Sequence, residues 1–95
     1  MSAYLVFIKE REHDKDKLAS YGEQARASLA GRNVTPLVVY GATETLEGPE
    51  ALTTVILEFP NMDEARAWYH SDAYRAARAD RFAGADFRVL LTQGV

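Results

Sequence analysis

The chain contains no cysteine, which excludes disulfides and thiolate metal sites as sources of stability. It has two histidines, at positions 13 and 70, with no His-x-x-x-His spacing, so no metal motif is present. Basic residues are in deficit: 11 Lys and Arg against 14 Asp and Glu leave a net charge of −3. A nucleic-acid partner needs a basic face to neutralise phosphates, so that class is excluded. The longest apolar run, Ala3 to Ile8, is too short for a signal-peptide core or a membrane helix, and no basic segment precedes it. The expectation is a cytoplasmic protein with no membrane partner. Nucleophile elbows, phosphate loops and dinucleotide fingerprints are also missing, since Gly41, Gly48 and Gly84 are too scattered. No cofactor is expected.

What remains is 95 residues, 47% of them hydrophobic, with no repeat, linker or low-complexity segment. This is the size of one domain, spanning 1–95, and a chain this short buries a limited share of its surface. It must therefore rely on an apolar core or on association.

The first strand is expected over Ala3 to Ile8, with Ala3, Leu5 and Phe7 on one face and Tyr4, Val6 and Ile8 on the other. Both faces want burial. Residues 9–17 carry four basic and four acidic side chains around His13 and read as a solvated loop. Asp14 is placed to cap a helix running to about Leu29, whose apolar stripe is Leu18, Tyr21, Ala25 and Leu29. Gly22 weakens this helix by about 1 kcal/mol relative to Ala and suggests close packing. Gly31 suits its C′ position. A second strand follows over Val34–Tyr40, with Pro36 at a bulge, a strand start or an open edge. Thr43–Glu47 alternates and can extend it, and Gly48-Pro49-Glu50 is a turn.

The most informative stretch is Thr53 to Tyr74. A strand over Thr53–Phe59 stops at Pro60. Asn61 caps a helix with Glu64 at the capping-box position, and Ser71 caps again, so the helix breaks and restarts at Asp72. Tyr74, Ala77, Arg78 and Arg81 continue at helical spacing, and Phe87–Leu91 is the last strand. The order βαββαβ is that of a ferredoxin-like α+β domain with a four-stranded antiparallel sheet. Two helices cover one face of such a sheet. The other face, left bare, is a larger apolar patch than a monomer usually exposes, so a homodimer paired sheet to sheet into a barrel-like centre is expected.

Several residues are candidates for chemistry. Glu58 lies among apolar strand neighbours, where desolvation could fit it for general acid–base work; the structural reading pairs it with Arg81 or Arg88. Arg81 can bind a carboxylate in bidentate fashion, or hold Glu58 or a helix end. Trp68, Tyr69 and Tyr74 either line an aromatic pocket or pack the core, and Tyr40 adds a phenol at a strand end. His70 lies about 200° around the helix from Trp68, so it faces outward when Trp68 faces the core. His13, within the charge run, belongs to the surface.

Leu46-Glu47-Gly48, Leu57-Glu58-Phe59-Pro60, Glu64-Ala65-Arg66-Ala67-Trp68-Tyr69, Ser71, Tyr74, Arg81 and the closing Gly94-Val95 together resemble domain-of-unknown-function family 1330 of the dimeric α+β barrel superfamily. The resemblance covers nearly the whole chain and is most specific over residues 46–81. It departs at Pro49, where members often carry a Trp. It implies the ferredoxin-like fold and the dimer, and assigns no reaction. Superfamily relatives include cofactor-free monooxygenases and isomerases that hold small aromatic or apolar molecules between sheet and helices. Three functions follow as expectations. The first is a dimer binding a small apolar or aromatic molecule, with Tyr40, Trp68, Tyr69 and Tyr74 as lining. The second is a cofactor-independent monooxygenase or isomerase with Glu58 and Arg81 as catalytic groups. The third is a structural or regulatory dimer with a filled core. A cavity between sheet and helices separates the first two from the third.

Overall fold

A computed structural model describes residues 1–95. The elements are β1 (Ala3–Glu12), α1 (Lys15–Ser28), β2 (Thr35–Val39), β3 (Thr53–Phe59), α2 (Met62–Tyr69), α3 (Asp72–Gly84) and β4 (Ala85–Gln93). All strand pairs are antiparallel, in the order β2-β3-β1-β4, and the helices lie on one face of the sheet. This is the ferredoxin-like arrangement expected from the element order, with α2 and α3 as the two halves of the broken second helix.

Strand β1 runs four residues further than its apolar pattern, through the charged Lys9–Glu12. That corrects the reading of this segment as loop. β4 starts two residues before the expected Phe87, and its Asp86 and Ala85 pair with Arg11 and Glu12 after a register shift at Lys9/Arg11. The ladder satisfies the backbone there, so the side chains are free to be charged. His13 continues this surface, with Nε2 3.1 Å from Asp86. The extension of the second strand over Thr43–Glu47 does not form; this segment is irregular and exposed, with Leu46 among its side chains. β2 is an edge strand with a register shift between Pro36 and Val38, so Pro36 combines the edge and bulge positions.

The helix ends follow local chemistry. Asp14 accepts from the backbone N–H groups of Asp16 and Lys17. Asn61 accepts from that of Glu64 at 2.8 Å. Ser71 Oγ accepts from Tyr74 N–H and donates to the carbonyl of Trp68, which joins the end of α2 to the start of α3. The close approach of α1 and α3 is at Gly84, where a Cβ would lie 2.9 Å from Leu18 Cδ2 and 3.2 Å from the Asp14 carbonyl. Gly22 does not serve close packing as expected, because a Cβ there would meet nothing within 4 Å.

The core lies between sheet and helices. Ala3, Leu5 and Phe7 of β1, Leu57 and Phe59 of β3, Ala65 and Trp68 of α2, Tyr74 and Ala77 of α3, and Tyr21 of α1 form one buried cluster. Trp68 stacks on Phe59 at 5.8 Å between centroids, and Tyr74 lies 4.1 Å from Trp68. On the opposite face the register aligns Tyr4 with Glu58, Val6 with Ile56 and Leu90, and Ile8 with Thr54 and Arg88. No helix covers that face, and its residues are half-buried or exposed.

Candidate functional site

The apolar stripe of α1 does not seat flush on the sheet near the β2 edge. A cavity of about 220 Å³ opens there. Phe7, Val55, Leu57 and Phe87 supply its sheet side. Tyr21, Gly22, Ala25, Arg26 and Leu29 supply the α1 side, Trp68 comes from α2, and Pro36, Val39 and Tyr40 stand at the edge. The lining is overwhelmingly apolar and aromatic, with few polar atoms, as small-molecule sites commonly are. Gly22 now has a spatial reason: its missing side chain leaves room in the cavity wall.

Tyr40 has a backbone φ of 57°, the only non-glycine residue in the left-handed region. Such a conformation costs an L-residue roughly 1–2 kcal/mol. It turns the chain out of β2 while Tyr40 N–H remains bonded to the Thr54 carbonyl, 3.1 Å away. The exposed Tyr40 side chain thereby becomes part of the cavity wall.

Behind the inner wall lies a cluster of phenols around one cation. Tyr21 and Tyr74 share a hydrogen bond of 2.8 Å between hydroxyls. Burial pushes both phenols above their ordinary pKa, so they stay neutral. Arg81 is 3% exposed. Its guanidinium carbon lies 5.8 Å from the Phe7 ring, 5.4 Å from Phe87 and 5.1 Å from Phe82. It forms no ion pair. Its Nη2 donates to Tyr69 Oη over a long 3.4 Å, and Nε and Nη1 are buried with no acceptor. Aromatic faces attract a cation but do not replace carboxylate acceptors.

Tyr69 is half-buried, with the Arg78 guanidinium 4.7 Å over its ring. Partial burial raises its phenol pKa, but the Arg78 and Arg81 guanidinium groups outweigh this and hold it below the usual value. Tyr69 lines a second concavity of about 240 Å³ with Leu5, Arg66, His70, Val89 and Leu91.

The candidates from the sequence are thus divided. Tyr40 and Trp68 line the cavity under α1, Tyr69 lines the neighbouring concavity, and Tyr74 stands behind Trp68 as a core residue bonded to Tyr21. Glu58 is elsewhere. It shares the uncovered sheet face with Tyr4, whose hydroxyl donates to Glu58 Oε2 at 3.1 Å. The expected pairing of Glu58 with Arg81 or Arg88 is therefore corrected: the sheet separates Glu58 from Arg81, and Arg88 pairs with Glu10 at 3.1 Å. Alternation along β3 decides this, since Leu57 and Phe59 face the helices and Glu58 between them must face away. His70 is exposed, as its helical phase requires. Sequence reasoning did not single out Phe7, Tyr21 and Phe87 as site residues. Tyr21 was visible only as one position of an amphipathic stripe.

The fold recurs in solved structures. A protein of unknown function from Rhodopseudomonas palustris superposes with a TM-score of 0.75 at 17% identity, covering 99% of this chain and 82% of that one. A dimeric ferredoxin-like protein of unknown function from Thermobifida fusca gives 0.65 at 18% identity, covering 97% and 90%. SnoaB, a cofactor-independent oxygenase from Streptomyces nogalater, gives 0.63 at 10% identity, covering 99% and 93%. At these identities the likeness is one of fold. No curated protein matches the sequence. The sequence model of the family described as Domain of unknown function (DUF1330) matches residues 2–95.

Proposed function

We propose that this chain, which belongs to the DUF1330 family, is a homodimer that binds a small apolar or aromatic molecule between sheet and helices. The observation that carries the reading is the cavity of about 220 Å³ walled by Phe7, Tyr21, Leu29, Trp68 and Phe87. A packed interior would have favoured a purely structural dimer. The lining residues bring shape and apolar surface, and Tyr40 stands where a ligand would enter or be retained.

The homodimer rests on the other side of the sheet. Tyr4, Val6, Ile8, Val38, Ile56 and Leu90 form an apolar surface with no covering element. A second copy laid across this face would bury it, and the dimeric state of the Thermobifida fusca protein is consistent with that use of the fold. An enzymatic reading based on Glu58 has less support, because Glu58 lies across the sheet from the cavity.

Native mass spectrometry of the protein from its source tests both parts. The expected spectrum contains a species of twice 10.6 kDa carrying one small organic molecule per chain. A bare 10.6 kDa species at micromolar concentration would refute the dimer. Binding can be followed independently through Trp68, the only tryptophan and part of the cavity wall. Its fluorescence should respond to small aromatic compounds, and indifference to a broad set of them would remove the ligand reading.

A further inference from the structure

We infer that the concavity between α2 and strands β1 and β4 is a second binding site, which takes a small organic anion with an apolar body, its charged end at Arg66 and His70. It shares no wall residue with the cavity under α1, so the two readings stand or fall separately.

Helical phase builds one side of this site. Tyr69 and His70 follow Arg66 by three and four residues on α2 and its C-cap, so the three side chains share one flank of the helix. Alternation along the strands builds the floor. Leu5 of β1 and Val89 and Leu91 of β4 point to the helix side, and Leu5 pairs with Leu91 in the ladder. The space between holds about 240 Å³. Its floor is aliphatic and Tyr69 is a wall, while Arg66 and His70 are exposed at the rim.

The charge around this space is one-sided. The chain carries a net charge of −3, yet no carboxylate lines the concavity. Arg66 has one carboxylate partner, Asp63 at 3.2 Å, whose side chain is 95% exposed. Such a pair contributes little in water, and it engages Nη1 alone, so the other guanidinium N–H groups are free. His70 donates an N–H in either protonation state. Two more cations stand behind Tyr69 without lining the concavity. Arg78 lies 4.7 Å over the Tyr69 ring, and Arg81 donates to its hydroxyl. Neither has an ion-pair partner, and both act here through their field rather than by contact. Tyr69 registers that field: partial burial raises its phenol pKa, and Arg78 and Arg81 outweigh this and hold it below the usual value. A neutral hydrocarbon would cover the floor and leave the rim donors to water. An inorganic anion would meet the rim and leave the floor wet. A carboxylate on a small ring or branched chain meets both.

The test is a titration of the ¹⁵N-labelled protein at low salt with benzoate, cyclohexanecarboxylate and 3-phenylpropionate, each against its neutral amide. The acids should shift the backbone amide resonances of Arg66, Tyr69, His70, Val89 and Leu91 saturably. They should bind about fivefold more tightly than the amides, the upper end of what an exposed ion pair contributes. Added salt should shrink that preference. Arg66→Gln should abolish it, whereas Arg11→Gln, which removes the same charge from the exposed end of β1, should not. Asp63→Asn, which frees Arg66 of its one carboxylate, should tighten acid binding by about twofold. Equal binding of acids and amides, or equal losses in Arg66→Gln and Arg11→Gln, overturns the anion assignment. Resonances at residues 66–70 and 89–91 that none of the acids moves overturn the site. Shifts centred instead on Tyr21, Gly22 and Leu29 also overturn it, and leave the cavity under α1 as the place of binding.

Discussion

The two faces of the sheet are built from the same strands and are covered differently. Along β1, Ala3, Leu5 and Phe7 are buried beneath the helices, while Tyr4, Val6 and Ile8 alternate with them on a face with no covering layer. Along β3, Leu57 is buried and the adjacent Ile56 is not. The helix-covered face is closed within one chain yet leaves a cavity; the other carries an apolar patch of Tyr4, Val6, Ile8, Ile56 and Leu90 beside Thr54, Glu58 and Arg88, with no layer over it. A strand apolar on both sides therefore presents one surface packed within the chain and one left without a covering layer.

The largest expected effect comes from Leu57→Ala, which removes a buried side chain and should cost about 2–5 kcal/mol of unfolding free energy, independent of protein concentration. Equilibrium denaturation at two protein concentrations checks this. Ile56→Ala, one residue away, should instead produce a loss that grows on dilution. Equal, concentration-independent losses at both positions would erase the distinction between the faces. Next, Ile56→Asp should raise the dimer dissociation constant by on the order of a hundredfold, because association would bury an unpaired carboxylate. Analytical ultracentrifugation across a dilution series reads this.

Smaller effects probe the covered face. Gly22→Ala should stabilise α1 by up to about 1 kcal/mol, since a Cβ there meets no neighbour, while shrinking the cavity. Higher thermal stability with weaker binding of aromatic ligands is the expected combination; unchanged binding would place the ligand away from α1.

A pH effect marks the α1–α3 contact. The Asp80 carboxyl is held below its ordinary value of 3.8, first by the hydrogen bond from Ser20 at 2.6 Å, then by Gln24 and Lys17. A depressed folded-state pKa contributes stability that is present above the unfolded value and lost as pH falls through the folded one. Ser20→Ala should raise the Asp80 pKa toward the ordinary value in a ¹³C-detected NMR titration and flatten stability loss on the acid side of pH 4. Smallest of all, Glu58→Gln should leave the Trp68 response to aromatic ligands unchanged. Loss of that response would connect the two faces in a way the register does not suggest.

Much of this was legible from local chemistry. Asp14, Asn61 and Ser71 marked helix starts because short polar side chains satisfy the first free N–H groups, and the broken second helix followed from Ser71 alone. Strand β3 was legible from end to end because Pro60 stops it. The continuation of β1 through Lys9–Glu12 was hidden because its polar residues carry no strand signal; pairing with Ala85 and Asp86 creates the strand. The site was only partly visible. Trp68 and Tyr40 stood out as aromatics, but Tyr21 looked like any member of an apolar stripe, and Glu58 drew notice for a desolvation that depends on what covers its face.

By itself, then, the sequence determined the order of elements, the caps between them and the two-sided apolar character of β1, because these depend on neighbouring residues or on a period of two or 3.6. Only the tertiary structure decided that Glu58 and Arg81 stand on opposite sides of the sheet, that Gly22 borders empty space and that Arg81 is buried without a carboxylate. Those facts depend on register and on how flush a helix lies against a sheet, which are settled by residues far apart in the chain.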